Sequence, residues 1–162
     1  IMSYGEERFA RDAAATGISG VIVPDLPFDE GEDFYSMLDR EGVDGILMVT
    51  PNTEEDRLVE TGRRAKGFVY CVSLLGITGQ ESGFHEQMGE YIARVRKHVS
   101  IPLSLGFGID GPEKAARVAS MVDGVVVGSA IVRLVEKFGH DRKELENKVT
   151  TFVTSLKNVI SP

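Results

Sequence analysis

The chain has 162 residues, of which 42% are apolar and 27% are charged, and 25 acidic against 18 basic residues give it a net charge of −7. Single hydrophobic cores commonly span about 100 to 200 residues, so we predict one domain over residues 1–162. The acidic balance argues against a nucleic-acid surface and against an anionic membrane, and no apolar run reaches the roughly 20 residues of a membrane helix.

Two further features bear on location and on chain limits. A single cysteine, Cys71, cannot form an internal disulfide, and the first residues do not resemble a signal peptide, so we predict a cytoplasmic protein. The chain begins IMSYGEERF, with Met2 in second place and little sequence before the first predicted helix. We therefore expect a piece of a longer protein.

Short runs rich in Val and Ile, bounded by Gly, Pro or Asp, are typical of strands buried in a parallel sheet. Polar stretches with helical spacing separate them, and we expect Thr53 to cap one helix and Pro112 to lie in the first turn of another. The tail from Gly139 to Pro162 predicts a last amphipathic helix. Five runs predict strands: Gly20 to Asp25, Gly45 to Thr50, Phe68 to Ser73, Pro102 to Phe107 and Gly124 to Ser129.

This alternation predicts repeated βα units of the α/β class, with every strand's carboxyl end at one edge. Functional sites in such folds lie at that edge. The spacing alone leaves two architectures open: a doubly wound sheet of five strands, or part of an eight-stranded barrel.

The segment GFGIDG, Gly106 to Gly111, matches the glycine pattern of dinucleotide-binding proteins. That pattern requires an acidic residue about 20 positions further on, at the end of the next strand. Here the next strand ends in Gly128 and Ser129. We therefore reject a dinucleotide site.

Small residues end three successive strands: Gly76 and Gly79, then Gly106 and Gly108, then Gly128 and Ser129. Glycines leave backbone N–H groups accessible, and a helix beginning after Gly128 would add partial positive charge, which suits a phosphate. Barrels often bind phosphate between their last two loops and a short helix. The alternative is that these glycines only form tight turns.

Other residue types give weaker signals. Asp25 follows a strand in VPDLP, where it could contact a substrate or simply form a turn. Tyr70 alternates with Cys71, so the two side chains point to opposite faces of their strand. Cys71 is expected to be a buried apolar residue. The chain has three histidines, and their spacing is not that of metal ligands: His85, His98 and His140. We predict neither a metal nor a cofactor.

Read together, the segments YGEERF, GVIVPDLP, FVYCVSLLGITG, PLSLGFGI and DGVVVGSAIV resemble successive blocks of the tryptophan synthase alpha subunit. The resemblance runs from Ile1 to about Gly139. It implies a TIM barrel of the (β/α)8 type, present here as about five βα units. It also implies a lyase of tryptophan biosynthesis that cleaves indole-3-glycerol phosphate to indole and glyceraldehyde 3-phosphate, with a beta subunit as partner.

The resemblance also implies roles for individual residues. The substrate phosphate would contact the backbone of Gly79, Gly108, Gly128 and Ser129 and the Ser129 hydroxyl. Thr78 would belong to a loop that closes over the substrate. Tyr70 would contact the glycerol hydroxyls, Phe107 would line the indole pocket, and Asp25 and Pro27 would face the beta subunit.

The catalytic carboxylates of that family lie on the second strand and just beyond it, and no residue of this chain matches them. We therefore predict weak binding of phosphate ligands and no measurable cleavage by this chain alone. An unclosed sheet would also favour self-association or a missing N-terminal companion segment. The competing interpretation is a non-catalytic binding or assembly module of the half-barrel type, and a different phosphate-binding barrel enzyme is a third.

Overall fold

A computed structural model of the chain describes residues 1–72, 84–106 and 108–160. Helices alternate with short strands along the described residues. The helices are α1 Glu6–Ala15, α2 Glu32–Arg40, α3 Glu55–Arg64, α4 Phe84–Arg96, α5 Pro112–Val118, α6 Ser129–Phe138 and α7 Arg142–Ile160. The strands are β1 Gly20–Ile22, β2 Asp44–Ile46, β3 Met48–Val49, β4 Val69–Val72, β5 Leu103–Gly106 and β6 Gly124–Val126.

Every strand pair in the described part of the chain is parallel, in the order β1-β2 and β3-β4-β5-β6. Only Leu47 separates β2 from β3, and its carbonyl accepts the Tyr70 N–H at 2.9 Å. The two short strands therefore divide the single run predicted from Gly45 to Thr50. The predicted α/β alternation with parallel strands is confirmed, although the strands end earlier than expected: β1 at Ile22 and β6 at Val126.

One face of the sheet packs against the helices and forms the main core. Val69 and Cys71 of β4 and Leu103 and Leu105 of β5 are fully buried on this face, together with Met88 and Val95 of α4. Alternation puts Tyr70 and Ser104, which are paired in register, on the opposite face with Gly106 and Gly124. Small residues thus line much of the face that a barrel would enclose.

A second, smaller apolar cluster lies in the first unit of the chain. It joins α1, α2 and the segment before β2, and it consists of Ala10, Ala13, Phe34, Leu38 and Val43. Phe34 and Leu38 of α2 lie four residues apart, on one side of the helix, and both are buried. The first unit therefore has a local core separate from the one that supports β3 to β6.

The helix starts test two predictions. Pro112 lies in the first turn of α5, as predicted. The prediction that Thr53 caps α3 is wrong, because the helix begins one residue later, after Glu54. The Thr53 hydroxyl instead accepts the Thr50 N–H at 2.8 Å, so Thr53 closes the turn that follows β3.

The last helix is present, and only part of its predicted apolar side, which comprises Val149, Phe152, Val153, Leu156 and Val159, packs against the core. Phe152, Leu156 and Ile160 contact the main core, whereas Val153 and Val159 are exposed. The three contacting residues are spaced by four, whereas Val153 directly follows Phe152 and Val159 directly precedes Ile160, and one residue along a helix is a turn of about 100°. Among the described residues, no helix is long and apolar enough to cross a membrane.

Candidate functional site

The carboxyl ends of β4, β5 and β6 meet at one edge, because these strands are neighbours and parallel. Gly106 pairs with Val126 in register, so the segments after β5 and β6 leave the sheet side by side. Gly108 follows β5, while Gly128 and Ser129 follow β6. The structure thus brings three of the predicted phosphate-contacting residues to adjacent strand ends.

The first turn of α6 is open at this edge. Gly128 is the N-cap, Ser129 is the first helical residue, and both are exposed. A Cβ at Gly128 would meet no atom within 4 Å, and no described side chain caps the helix. The first N–H groups of a helix lack intrahelical acceptors, and the helix dipole places partial positive charge there. This turn can therefore receive an anion.

The segment after β5 borders the same edge. Gly108 has a φ of +77°, a backbone conformation that glycine adopts without strain, and it is exposed. Two residues on, Asp110 accepts a hydrogen bond from Lys114 at 2.9 Å. That bond lowers the pKa of Asp110, and the charge of Arg133 on α6 acts in the same direction. Two cations thus offset the charge of the one carboxylate in this segment.

Tyr70 lies on the sheet face opposite the main core, and its side chain is 8% exposed. A Cβ at Gly106 on the neighbouring strand would overlap the Tyr70 ring and hydroxyl, so the ring lies directly against the Gly106 backbone. Burial raises the pKa of Tyr70. Its hydroxyl is therefore a neutral hydrogen-bonding group near the glycine-lined edge.

The packing of Tyr70 against Gly106 was not predicted from the sequence. Alternation places Tyr70 and Gly106 on one face, but only the register of β4 against β5 makes them neighbours. Arg133 was not predicted either. The sequence signal that could have indicated Arg133 is its position four residues after Ser129, one turn further along the same side of α6.

Three predicted site residues lie outside the described residues: Thr78, Gly79 and Phe107. Their assignments stay predictions. Cys71 is buried in the main core, and burial raises the pKa of its thiol to about 12, as expected for an apolar rather than a nucleophilic cysteine. No group of three potential metal ligands occurs among the residues that the structure describes.

Asp25 and Pro27 lie in the exposed β1–α2 segment, at the carboxyl end of β1. The Pro27 carbonyl accepts N–H groups from Glu30 and Gly31, both at 3.0 Å, which closes a turn. This segment is fastened to α3, because Asp29 pairs with Arg57 and the Arg64 guanidinium lies 4.0 Å from the Phe28 ring centroid.

A cavity of about 790 Å³ lies between this segment and α3, next to the glycine-lined edge. Pro27, Met48 and Thr50 are among its lining residues, and Val72 connects it with β4. Gly128 and Ser129 are not part of its lining. The carboxyl edge of the strands therefore has a cavity of mixed apolar and polar lining on one side and an anion-accepting turn on the other.

Parallel βα units, small residues on the inner face and an open helix N-terminus after the last strand are the features of a TIM-type barrel, of which this chain is a part. A sequence profile described as tryptophan synthase alpha chain matches residues 1–161. The chain belongs to the tryptophan synthase alpha chain family.

Individual relatives agree with this assignment. The tryptophan synthase alpha chain of Petrotoga mobilis is 47% identical over 157 residues, covering 97% of this chain and 61% of the relative. That of Geobacter sulfurreducens is 45% identical over 160 residues, covering 99% of this chain and 60% of the relative. The chain thus spans about 60% of the length of these relatives and corresponds to their C-terminal part.

Solved structures show the same fold. The alpha subunit from Legionella pneumophila superposes with a TM-score of 0.86 at 28% identity, covering 99% of this chain and 58% of that one. A chain from the a2b2 complex of tryptophan synthase from Pyrococcus furiosus superposes with a TM-score of 0.80 at 28% identity, covering 98% and 62%. The spacing of the strands left open a doubly wound sheet or part of an eight-stranded barrel. These neighbours show that the chain is part of a barrel.

Proposed function

We propose that this chain takes part in tryptophan biosynthesis as the phosphate-binding part of a tryptophan synthase alpha subunit. The reaction is the cleavage of indole-3-glycerol phosphate to indole and glyceraldehyde 3-phosphate. The observation that carries the proposal is the open first turn of α6, with Gly128 as N-cap at the carboxyl end of β6. We assign the chain to the cytoplasm.

The phosphate lies against the N-terminus of α6 in this proposal. The backbone N–H groups of Gly128 and Ser129 and the Ser129 hydroxyl donate hydrogen bonds to its oxygens, and the helix dipole favours its charge. The backbone of Gly108 borders the phosphate from the β5 side, where glycine removes the side chain that would block it. Gly79 completes the set, as the family resemblance implies.

The rest of the substrate extends from the phosphate across the barrel face of the sheet. Tyr70 contacts the glycerol hydroxyls, since its buried phenol stays neutral and can both donate and accept a hydrogen bond. Phe107 lines the indole pocket, and Thr78 belongs to the loop that closes and excludes water.

Cleavage needs one proton delivered to the indole ring carbon and another removed from a glycerol hydroxyl, so an acid and a base must act on opposite sides of one bond. The family's carboxylates for these steps match no residue of this chain, and we assign neither role here. The part played by residues 1–162 is to bind and orient the substrate. Expected activity of the 162-residue chain alone is ligand binding without indole release.

The partner is a tryptophan synthase beta subunit, which the exposed residues Asp25 and Pro27 face. Two observations support this assignment. The Pyrococcus furiosus neighbour comes from an a2b2 complex. The β1–α2 segment is held in place by its contacts with α3, so it offers a preformed surface.

Titration of the chain with glyceraldehyde 3-phosphate, followed by calorimetry, tests the phosphate site. Gly128→Asp places a carboxylate where the phosphate should bind and should weaken binding at least tenfold. Ser129→Ala removes one hydrogen bond, worth about 1 kcal/mol, and should weaken binding about fivefold. Gly111→Asp is the matched control, because Gly111 is also an open N-cap glycine, that of α5.

The Gly111 variant should bind like the unmodified chain. Asp is a favoured N-cap residue, so neither Asp variant should lose helix stability, which circular dichroism can verify. Absence of saturable binding, or equal loss in both Asp variants, would contradict the proposed site. That outcome would favour the non-catalytic assembly module.

A further inference from the structure

The β1–α2 segment, residues 23–31, folds back on itself and against α2. Its Pro27 carbonyl accepts the Gly31 N–H at 3.0 Å, and the Tyr35 hydroxyl of α2 donates a hydrogen bond to the Leu26 carbonyl at 3.0 Å. A Cβ at Gly31 would lie 2.7 Å from the Leu26 side chain, so glycine lets the two parts of the segment approach this closely. The segment is thus packed by its own residues and by α2.

Two arginines of α3 contact the same segment. Arg57 pairs with Asp29, and the Arg64 guanidinium lies 4.0 Å from the centroid of the Phe28 ring. The Phe28 ring in turn stacks on Tyr35 of α2, with centroids 6.1 Å apart and an angle of 24° between the ring planes. Arg64, Phe28 and Tyr35 therefore form one stack that joins α3, the segment and α2.

Two carboxylates fix Arg64 over Phe28. The Arg64 Nε donates to Glu60 of α3 at 3.0 Å, and its Nη1 donates to Glu32 of α2 at 3.2 Å. A planar guanidinium can bond to carboxylates at its edge while its face covers an aromatic ring, which the compact ammonium group of lysine cannot do. The guanidinium is therefore oriented from two helices at once.

The helix that carries both arginines is anchored in the main core, where Leu58, next to Arg57, is fully buried. An exposed ion pair or a single exposed cation–π contact stabilises a turn only weakly. Here the two contacts act on consecutive residues, Phe28 and Asp29, and start from a fixed helix. Their effects therefore combine on one short stretch of backbone.

We propose that Arg57 and Arg64 are positioning residues, which hold the β1–α2 segment from α3 in the orientation in which Asp25 and Pro27 meet the beta subunit. The identity of that partner rests on the proposed function. A segment that is ordered before association loses less conformational freedom on binding, and its affinity rises with the fraction of molecules already in the competent state. Pro27 directly precedes the residues that the two arginines contact, so the arginines act next to the partner-facing turn.

Amide exchange followed by NMR measures the order of the segment in the 162-residue chain. The reporters are three amides whose acceptors lie inside the segment, those of Leu26, Glu30 and Gly31. Arg57→Ala and Arg64→Ala should each raise the exchange rates of these amides about threefold, and the double variant about tenfold, as expected for the loss of an exposed ion pair and of a cation–π contact.

Arg63→Ala is the matched control. Arg63 pairs with Glu60 at 2.8 Å near the same end of α3, but within the described residues it makes no hydrogen bond or ion pair with the β1–α2 segment. Its removal should leave the exchange rates of the three reporters unchanged. Arg57→Lys keeps a cation for Asp29 and should restore most of the protection that Arg57→Ala removes.

A double-mutant cycle tests the stack. Phe28→Leu keeps an apolar side chain but removes the ring that Arg64 covers. In the Phe28→Leu background, Arg64→Ala should raise the exchange rates much less than in the unmodified chain, because residues in contact have coupled effects.

Calorimetry with a purified tryptophan synthase beta subunit tests the consequence for the partner. The double variant should bind the beta subunit about tenfold more weakly than the unmodified chain, in proportion to the loss of order in the segment. Arg63→Ala should bind as the unmodified chain does. Glyceraldehyde 3-phosphate should bind all of these variants with unchanged affinity, because its proposed site at the first turn of α6 is formed by other elements.

Unchanged exchange rates in the double variant, or equal acceleration by Arg63→Ala, would overturn the proposal. Faster exchange with an unchanged affinity for the beta subunit would also overturn it, since the segment would then need no positioning for the partner. A parallel loss of glyceraldehyde 3-phosphate affinity would do the same, because it would indicate a general loss of structure. No binding of the beta subunit by the unmodified chain would contradict the partner given under the proposed function, and the exchange rates would still decide whether the two arginines hold the segment.

Discussion

The ring of Tyr70 occupies space that a side chain at Gly106 would need. We predict that Gly106→Ala destabilises the chain by about 2 kcal/mol, because overpacking a closely packed contact costs about 1 to 3 kcal/mol. Urea unfolding measures this loss. In a Tyr70→Ala background the same substitution should cost much less, since the two residues are in contact.

Gly89→Ala in α4 is the matched control, because a Cβ at Gly89 would meet no atom within 4 Å. Alanine is favoured over glycine inside helices, so this variant should gain about 0.5 to 1 kcal/mol. Equal costs for Gly106→Ala with and without the Tyr70 ring would show that the close contact does not determine the position of Tyr70.

Asp123 connects three elements at the amino end of β6. Its carboxylate accepts the Leu103 N–H at 2.7 Å and pairs with Arg96 of α4. The backbone hydrogen bond, followed by the Arg96 interaction, lowers the pKa of Asp123 in the folded chain. Its stabilisation is therefore fully present above the ordinary pKa of about 4 and is lost as pH falls through the lowered folded pKa.

We predict that Asp123→Asn lowers the free energy of unfolding at pH 7 by about 1 kcal/mol, the usual contribution of one such hydrogen bond. The difference from the unmodified chain should shrink on acidification below pH 4. Asp25→Asn, a substitution of the same type in an exposed turn, should change stability by less than half as much. If the difference in the free energy of unfolding between Asp123→Asn and the unmodified chain did not change with pH, the ionised carboxylate would have no role in this stabilisation.

Among the elements, α3 shows that a sequence can predict a helix without predicting which residue caps it. Charged and apolar spacing predicted the helix, and Leu58 of α3 is buried as that spacing requires. Thr53 was expected to cap it, but its hydroxyl is used in the turn after β3. A threonine can bond either to the helix or to a local turn, and the choice depends on how the chain leaves the preceding strand.

The vacant cap of α3 leads to a prediction. Glu54 has the extended conformation of an N-cap residue but makes no side-chain cap hydrogen bond. Glu54→Asp keeps the charge and shortens the side chain so that it can bond to the first turn, which should add about 0.5 to 1 kcal/mol to stability. Thermal unfolding measures the gain. Glu54→Ala should show none, and an equal gain for both variants would mean that removal of Glu54, not capping, stabilises the chain.

Across the whole molecule, the sequence predicts the alternation of strands and helices and the edge at which Gly108, Gly128 and Ser129 meet. These follow from local patterns and from the chirality of βα crossovers. Three features do not follow from local patterns: the contact between Tyr70 and Gly106, the interruption of the strand at Leu47, and the proximity of Arg133 to Asp110. Each depends on register or on packing between elements far apart in sequence, which no short window contains.

The two apolar clusters differ in size, and their stabilities should differ accordingly. Among the residues that the structure describes, the main core has fifteen buried residues, from β3 to α7, and the cluster of α1 and α2 has five. Local opening requires less free energy where less apolar surface is buried. We predict that native-state hydrogen exchange of the α1 amides proceeds at a lower free energy of opening than exchange of the β4 and β5 amides.

The α1 amides should exchange by local opening that depends weakly on denaturant, and those of β4 and β5 by global unfolding. Phe34→Ala should accelerate exchange in α1 and leave β5 nearly unchanged, while Leu105→Ala should accelerate both, because the main core supports the whole chain. Identical opening free energies in α1 and β5 would instead mean that the two clusters unfold as one cooperative unit.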